Sequence, residues 1–240
     1  MMRKLFWVKG VKVYAFNRID STNNEAVRRI KQGLKLPALF IAKSQTAGKG
    51  TRGRSFYSSG GGLYMSLALK TDEIRIQKLT ILAAVATAQS IEKLTGKEVD
   101  IKWVNDIYLG GKKLCGILCE RVQNQTNDKT LGVVIGIGVN LTVKEFPEEI
   151  KNIAVNLGNI NQNKLAREIT KRIISLLSSN EDFMEYYKSK SILLGKEVSY
   201  IQNGVIHNGT ALDIDTTGAL IVKENEQTAI LTSGDVTLLK

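Results

Sequence analysis

The sequence predicts an α+β protein: a mixed β-sheet flanked by helices over residues 1–190, then a small antiparallel β domain over 191–240. Three observations carry this. Short apolar runs of strand length alternate with amphipathic stretches of helical spacing up to about Tyr187. From Gly195 the texture changes to strands of about six residues separated by Asn203-Gly204, Asn208-Gly209, Thr217-Gly218 and Ser233-Gly234, the pattern of a small barrel or sandwich. And 240 residues with 43% hydrophobic and 24% charged content suffice for one large core plus a small one.

Val11–Phe16 alternates as a first strand. Asp20-Ser21-Thr22-Asn23-Asn24-Glu25 follows, with Ser21 placed to cap a helix that runs to about Lys31 and stops at Gly33. On local pattern alone, Ser21 and Thr22 need be no more than capping residues. Leu36–Ala42 and Leu63–Leu69 read as strands around a long loop, Lys43–Tyr64. Gln77–Leu94 is the clearest helix: Leu79, Leu82, Ala83, Ala86, Ser90 and Leu94 fall near one stripe, and its alanines allow close packing on a sheet. Gly96 is its stop. Val99–Trp103, Ile107–Leu109, Leu114–Glu120 and Leu131–Val139 are strands, with Gly110-Gly111 making a hairpin turn. Pro147–Ile150 reads as a helical turn and Lys164–Tyr187 as one helix or two.

Several classes are excluded by composition. Two cysteines and one histidine provide neither a disulfide framework nor a zinc ligand set. Cys115 and Cys119 read as reduced thiols, which suits the cytoplasm. Lys9 and Lys12 interrupt the apolar start, so it is no signal peptide. No run reaches the ~18 apolar residues of a membrane helix. The net charge is +11, which points to anionic partners. Between Ala26 and Thr71 there is no Asp or Glu, while nine Lys and Arg residues lie there. That stretch is either a solvated basic surface or an electrostatic funnel.

The loop is its centre. It holds six glycines from Gly48 to Gly62, with Lys49, Arg52 and Arg54 among them. Glycine lets backbone approach a ligand closely, and cations beside it offer charge-assisted hydrogen bonds to phosphate or carboxylate. It is not a phosphate-binding P-loop, because Gly50 follows Lys49 where Ser or Thr is required. Two further patterns stand out. Lys102-Trp103-Val104-Asn105-Asp106 with Lys112-Lys113-Leu114-Cys115-Gly116 would set Lys113, Asn105 and Asp106 near one sheet end, although each lysine alone reads as a solvated hairpin charge. Ile135-Gly136-Ile137-Gly138-Val139-Asn140 puts two glycines in an apolar strand, where something packs on the backbone.

In this order, with Ser21-Thr22-Asn23 ahead, SQTAGKGTRGRSF, KWVNDIYL, KKLCGILCE and IGIGVN resemble the biotin protein ligases, whose usual strings are STN, QTAGRGRxGRxW, KWPND, KxxGIL and GxGxN. The resemblance covers about Val11–Asn140, and the C-terminal segment with GKEV and ALDIDTTGALIV is similar to that family's small domain. It implies the fold shared with class II aminoacyl-tRNA synthetases, with an SH3-like barrel at the end. It implies ATP and biotin as substrates with Mg²⁺, biotinyl-5′-AMP as intermediate, and a biotin carboxyl carrier domain as the partner whose lysine is modified. The residues implied for biotin and its adenylate are Ser21, Thr22, Asn23, Gln45, Gly48, Lys49, Gly50, Thr51, Gly116, Gly136, Gly138 and Lys113, the last as the catalytic cation. Arg52, Arg54, Phe56, Asn105, Asp106 and Asn140 are implied for the nucleotide side; no metal-ligating residue is assigned. Thr51 stands where the family usually has the second arginine of GRGR, Lys49 replaces the first, Val104 the usual proline and Phe56 the usual tryptophan. The resemblance is to the short type without a DNA-binding domain, and a homodimer is compatible with it. Two other readings remain: a lipoate ligase or octanoyltransferase, whose histidine–glycine motifs are missing, and a nucleic-acid-binding module, for which no stacking array is present.

Overall fold

The structure is a computed structural model and describes residues 8, 10–70, 76–124 and 126–239. The opening segment read above for a leader lies largely outside these residues. The elements run β1 (Lys12–Ile19), α1 (Thr22–Lys31), β2 (Ala38–Gln45), β3 (Gly62–Leu69), α2 (Ile76–Thr95), β4 (Asp100–Lys102), β5 (Asp106–Leu109), β6 (Lys112–Gln123), β7 (Thr130–Asn140), α3 (Gln162–Ser178) and α4 (Phe183–Ser189). The small domain adds β8 (Glu197–Gln202), β9 (Val205–Ile214), β10 (Leu220–Glu224), β11 (Gln227–Leu231) and β12 (Val236–Leu238).

Seven strands form one mixed sheet in the order β1-β2-β3-β7-β6-β5-β4. Only β1 and β2 are parallel, and α1 makes the crossover between them. Alternation along the strands sorts side chains between two faces. Leu39, Ile41, Leu63, Leu67, Ile135, Ile137 and Val139 point to a large core shared with α2, α3 and α4. Phe40, Ala68, Val122 and Val134 point the other way, beneath Ala26 and Ile30 of α1.

The stripe expected on α2 is broader than its spacing suggests: every residue from Leu79 to Ala88 is buried. The helix lies between the sheet and α3/α4, and its alanines let it approach both. Its buried hydroxyls are satisfied within it, Thr87 and Ser90 donating to the carbonyls of Ala83 and Ala86. The segment expected as one helix or two is two, with Asp182 capping α4 through the N–H of Met184 at 2.9 Å. The hairpin at Gly110-Gly111 takes positive φ at both residues, +57° and +75°, a turn open to glycine.

The small domain is a five-stranded antiparallel sheet, β11-β10-β9-β8-β12. It docks on the β4 end of the large sheet. The Gly218 carbonyl accepts from Trp103 Nε1 at 2.9 Å and Gln77 Nε2 at 2.6 Å. Asp215 holds that turn, accepting from the N–H groups of Thr217 and Ala219.

Candidate active site

Helix α1 covers only part of its sheet face. Beyond its N-terminus the face is bare, and the strands place small residues there. The cross-strand row Tyr64–Gly138–Gly116–Asp106 runs over β3, β7, β6 and β5, and beside it lies the row Ser66–Gly136–Leu118. Three glycines thus floor a cleft whose walls are the start of α1, the loop after β2 and the β5–β6 hairpin. Its cavity volume is about 130 Å³.

The glycines are there because other groups sit on them. A Cβ on Gly136 would lie 2.2 Å from Asn23 Oδ1, and one on Gly138 2.5 Å from the Phe56 ring. Phe56 also approaches Gly116 and meets Tyr64 edge to face, with ring centroids 6.4 Å apart. The aromatic expected to face a nucleotide base is therefore folded onto the cleft floor. It helps explain why the cavity is below the ~300–1,000 Å³ usual for small-molecule sites.

The start of α1 does two things at once. Ser21 caps it, Oγ accepting from Asn24 N–H at 3.4 Å, and Ser21, Thr22 and Asn23 all line the cleft. Asp20 secures this turn with both carboxylate oxygens on Arg28, at 2.8 and 2.9 Å, and Arg28 holds the Asp20 carboxyl well below the usual range. Gln45 Oε1 accepts from Thr22 N–H at 2.8 Å. That turns the Gln45 amide nitrogen toward Gly48, where the loop begins. Ser66 Oγ lies 2.7 Å from Thr22 Oγ1 and 2.5 Å from Asn23 Oδ1, and Asn23 Nδ2 donates to Glu120 at 2.7 Å. Glu120 in turn faces Lys49 of the loop at 3.5 Å. A continuous polar chain therefore runs under the cleft from Gln45 to Lys49.

Opposite, Lys113 Nζ donates to Asp106 Oδ2 at 2.6 Å. Asp106 Oδ1 is buried and has no hydrogen-bond partner among the described residues. Asn105 Nδ2 holds the Ile117 carbonyl at 3.0 Å, fixing the corner before β5. Lys102 extends the same row past Asp106, and burial pushes its ammonium below the ordinary lysine value, opposed by the Asp106 charge. Burial likewise pushes the Tyr64 phenol up to about 12.

Most residues singled out from sequence converge here. Lys49, Gly50, Thr51, Arg54, Phe56 and Asn105 line the cleft with Gln45, Lys113 and the three floor glycines. Gly48 stands behind them, a Cβ there meeting Ser58 Oγ at 2.4 Å. Three others do not line the cleft, and of these Asp106 is reached only through Lys113. Arg52 turns to Asp235 of the small domain at 3.3 Å. Asn140 is buried at the end of β7, its carbonyl bound to Leu157 N–H. Sequence reasoning missed Ser66, Glu120 and Asp235. Ser66 had a signal, a lone hydroxyl inside the apolar strand LYMSLAL, and Glu120 ends the KKLCGILCE string. Asp235 had none, because its partners are about 180 residues away in sequence.

Residues 15–140 match the model of the biotin/lipoate A/B protein ligase family, and residues 193–239 match the biotin protein ligase C-terminal domain. The chain belongs to the biotin/lipoate A/B protein ligase family. It is 34% identical to the bifunctional ligase/repressor BirA of Bacillus subtilis (strain 168), over 96% of this chain and 75% of that one. With the biotin–[acetyl-CoA-carboxylase] ligase of Mycobacterium tuberculosis the identity is 29%, over 92% and 86%. A solved structure of the Aquifex aeolicus biotin protein ligase, in complex with biotin and ATP, superposes with a TM-score of 0.80 at 26% identity, covering 95% of this chain and 99% of that one.

Proposed function

We propose that this family member is an ATP-dependent biotin protein ligase that forms biotinyl-5′-AMP and passes the biotinyl group to a lysine of a biotin carboxyl carrier domain. The supporting observation is the convergence of five separate sequence strings on one cleft, between a glycine floor and a basic loop. The domains assigned to this work are residues 1–190 for catalysis and 191–240 as the small barrel. The relatives' printed descriptions supply the substrates: a ligase of acetyl-CoA carboxylase in one, bound biotin and ATP in another.

In the first step the biotin carboxylate attacks the α-phosphate of ATP and pyrophosphate leaves. In the second, a carrier lysine amine attacks the mixed anhydride, forming an amide and releasing AMP. Both reactants of the first step are anions, so cations must be positioned before they meet. Lys113 is assigned to the carboxylate and adenylate linkage. Lys49 and Arg54 are assigned to phosphate oxygens; Arg52 and Asn140 join the nucleotide side on the resemblance alone. Thr22, Asn23 and Gln45, locked by Ser66 and Glu120, present fixed polar groups to the biotin head. The glycines allow the flat ligand to lie on the sheet.

Phe56 occupies the floor that the ligand would need, so binding requires its ring to move off Gly116 and Gly138. An ordered loop then shields the mixed anhydride from water. Mg²⁺ enters as part of the nucleotide substrate. No group of three or more His, Cys, Asp or Glu among the described residues could hold a metal by itself.

The test is biotin-dependent ATP–pyrophosphate exchange, followed by transfer of biotin to a purified carrier domain. The expected result is exchange with biotin, none with lipoate, and label on one carrier lysine. Exchange driven by lipoate, or none with biotin, would overturn the reading.

A further inference from the structure

Asp235 lies in the turn between β11 and β12 of the small domain, yet both of its carboxylate oxygens face the catalytic loop. Oδ1 accepts from Arg54 Nη2 at 2.8 Å and Oδ2 from Arg52 Nη1 at 3.3 Å. Arg54 is held at a second point as well. Its Nη2 donates to the Thr51 hydroxyl at 3.1 Å and its Nε to the Thr51 carbonyl at 3.4 Å. Of these two arginines only Arg54 lines the cleft.

We infer that Asp235 is a positioning residue for adenylation: through Arg54, it sets the phosphate-binding charge of the loop from the other domain. This rests on the biotin ligase reading above. The physical argument is one of donors. A guanidinium has five N–H groups in a fixed fork. Among the described residues Arg54 spends only Nε and Nη2, on Thr51 and Asp235, so Nη1 remains for a ligand oxygen without breaking either contact. An arginine on a glycine-rich loop would otherwise sample many rotamers, and anchoring it beforehand reduces the ordering cost of binding.

The opposite role, a carboxylate that competes with phosphate, would require it to occupy Nη1 as well, and Asp235 takes Nη2 alone. Arg52 completes the arrangement from outside the cleft. Sharing Asp235, it leaves the three-group cluster with one net positive charge. The small domain thus bears on catalysis through a single side chain.

These ion pairs are exposed, 58% for the Arg54 side chain and 51% for Asp235, so the effect should be modest. Asp235→Ala should raise the KM for ATP about two- to fivefold. The turnover number at saturating ATP and the Kd for biotin should stay unchanged. Adding Asp235→Ala to Arg54→Ala should change the KM no further, because the two act on one contact.

An unchanged or lowered KM for ATP, or full additivity with Arg54→Ala, would overturn the inference. Should Asp235→Ala lower the melting temperature, Asp235→Asn, which keeps the shape and loses the charge, decides by the same KM comparison. Exchange by the wild-type enzyme is measured first. Its absence would refute the ligase reading, whereas normal wild-type exchange with unaffected Asp235 variants refutes only this inference.

Discussion

Replacing Lys113 with alanine removes the one ammonium among the described residues within hydrogen-bond reach of Asp106, at 2.6 Å. Two losses follow. A cation placed where charge develops is worth about 2.7–4 kcal/mol of barrier, or 10²–10³ in rate. The Asp106 carboxylate is also left with neither oxygen paired, since Oδ1 has no partner to begin with. A fully buried pair broken this way costs about 3–5 kcal/mol and an exposed one about 0–1. Here the side chains are 34% and 19% exposed, so about 1–2 kcal/mol is reasonable. Part of that falls on the incoming biotin carboxylate, which then meets an uncompensated like charge.

The sum predicts that single-turnover formation of biotinyl-AMP falls about 10³-fold or more in Lys113→Ala. A second substitution, Asp106→Asn, removes the stranded charge and should restore about five- to tenfold, in line with ~1 kcal/mol. Pyrophosphate exchange gives the rate and thermal unfolding confirms the fold. Adenylation by Lys113→Ala within tenfold of wild type would refute the assignment. Failure of Asp106→Asn to recover any activity would refute the electrostatic account of it.

Gly136→Ala should weaken biotin binding at least tenfold and cost about 1–3 kcal/mol of stability, because its Cβ falls 2.2 Å from an Asn23 side chain pinned by Ser66 and Glu120. Gly116→Ala, facing a movable Phe56 ring at 3.1 Å and the Lys113 stem at 3.5 Å, should fold with nearly unchanged melting temperature; calorimetry of both with biotin checks the contrast. Thr51→Arg restores a cation to the loop and should slow biotinyl-AMP release and reduce self-biotinylation, read by quench-flow and mass spectrometry; equal release would show that Arg54 already supplies that charge.

Acid should loosen the start of α1 and the Gly218 docking turn. Hydrogen bonding to Arg28 lowers Asp20; burial raises Asp215, but bonds from Thr217, Ala219 and Gly218 outweigh it and leave it low. Groups depressed on folding stabilise above their unfolded value near pH 4 and lose that contribution as pH falls through the folded value. Melting temperature should therefore drop below about pH 4, less steeply in Asp215→Asn; parallel profiles for the two proteins would refute the role given to Asp215.

The strands and helices were largely legible because their signals are local. Ser21 has the residue type and the Asn24-Glu25 follow-on that a helix start requires, and it does cap α1. The paired glycines of β7 announced close packing, and Asn23 and Phe56 supply it. What could not be read was partnership across distance. The sheet order depends on pairings between β3 and β7, more than 60 residues apart, and no local pattern encodes that register. Phe56 offered an aromatic to a base, but whether its ring faces solvent or the floor is decided by Gly116 and Gly138 on strands that come later. Ser66 looked like a polar interruption of a buried strand. Only the crossover that lays α1 over β3 shows that Thr22 and Asn23 consume its hydroxyl.

The charge pattern shows the same limit from another side. Between Ala26 and Thr71 the chain has no acid, which on paper favours a strong funnel for anions. In the fold, acids from outside that window come to it. Asp20 and Glu25 take Arg28 and Arg29, Glu120 takes Lys49, and Asp235 takes Arg52 and Arg54. Five of the nine cations are thus paired before any ligand arrives. Of these contacts, Lys49–Glu120 reaches the cleft through an exposed pair at 3.5 Å that can yield to a phosphate or carboxylate at little cost, whereas Arg54 keeps Asp235 and offers Nη1. A cleft lined by bare cations would hold any anion. One whose cations already have partners favours a ligand that presents several negative groups at matching positions, which a nucleotide triphosphate beside a biotin carboxylate does. The acid-free window therefore marks where the site is. Selectivity at that site comes from the acids that folding returns to it.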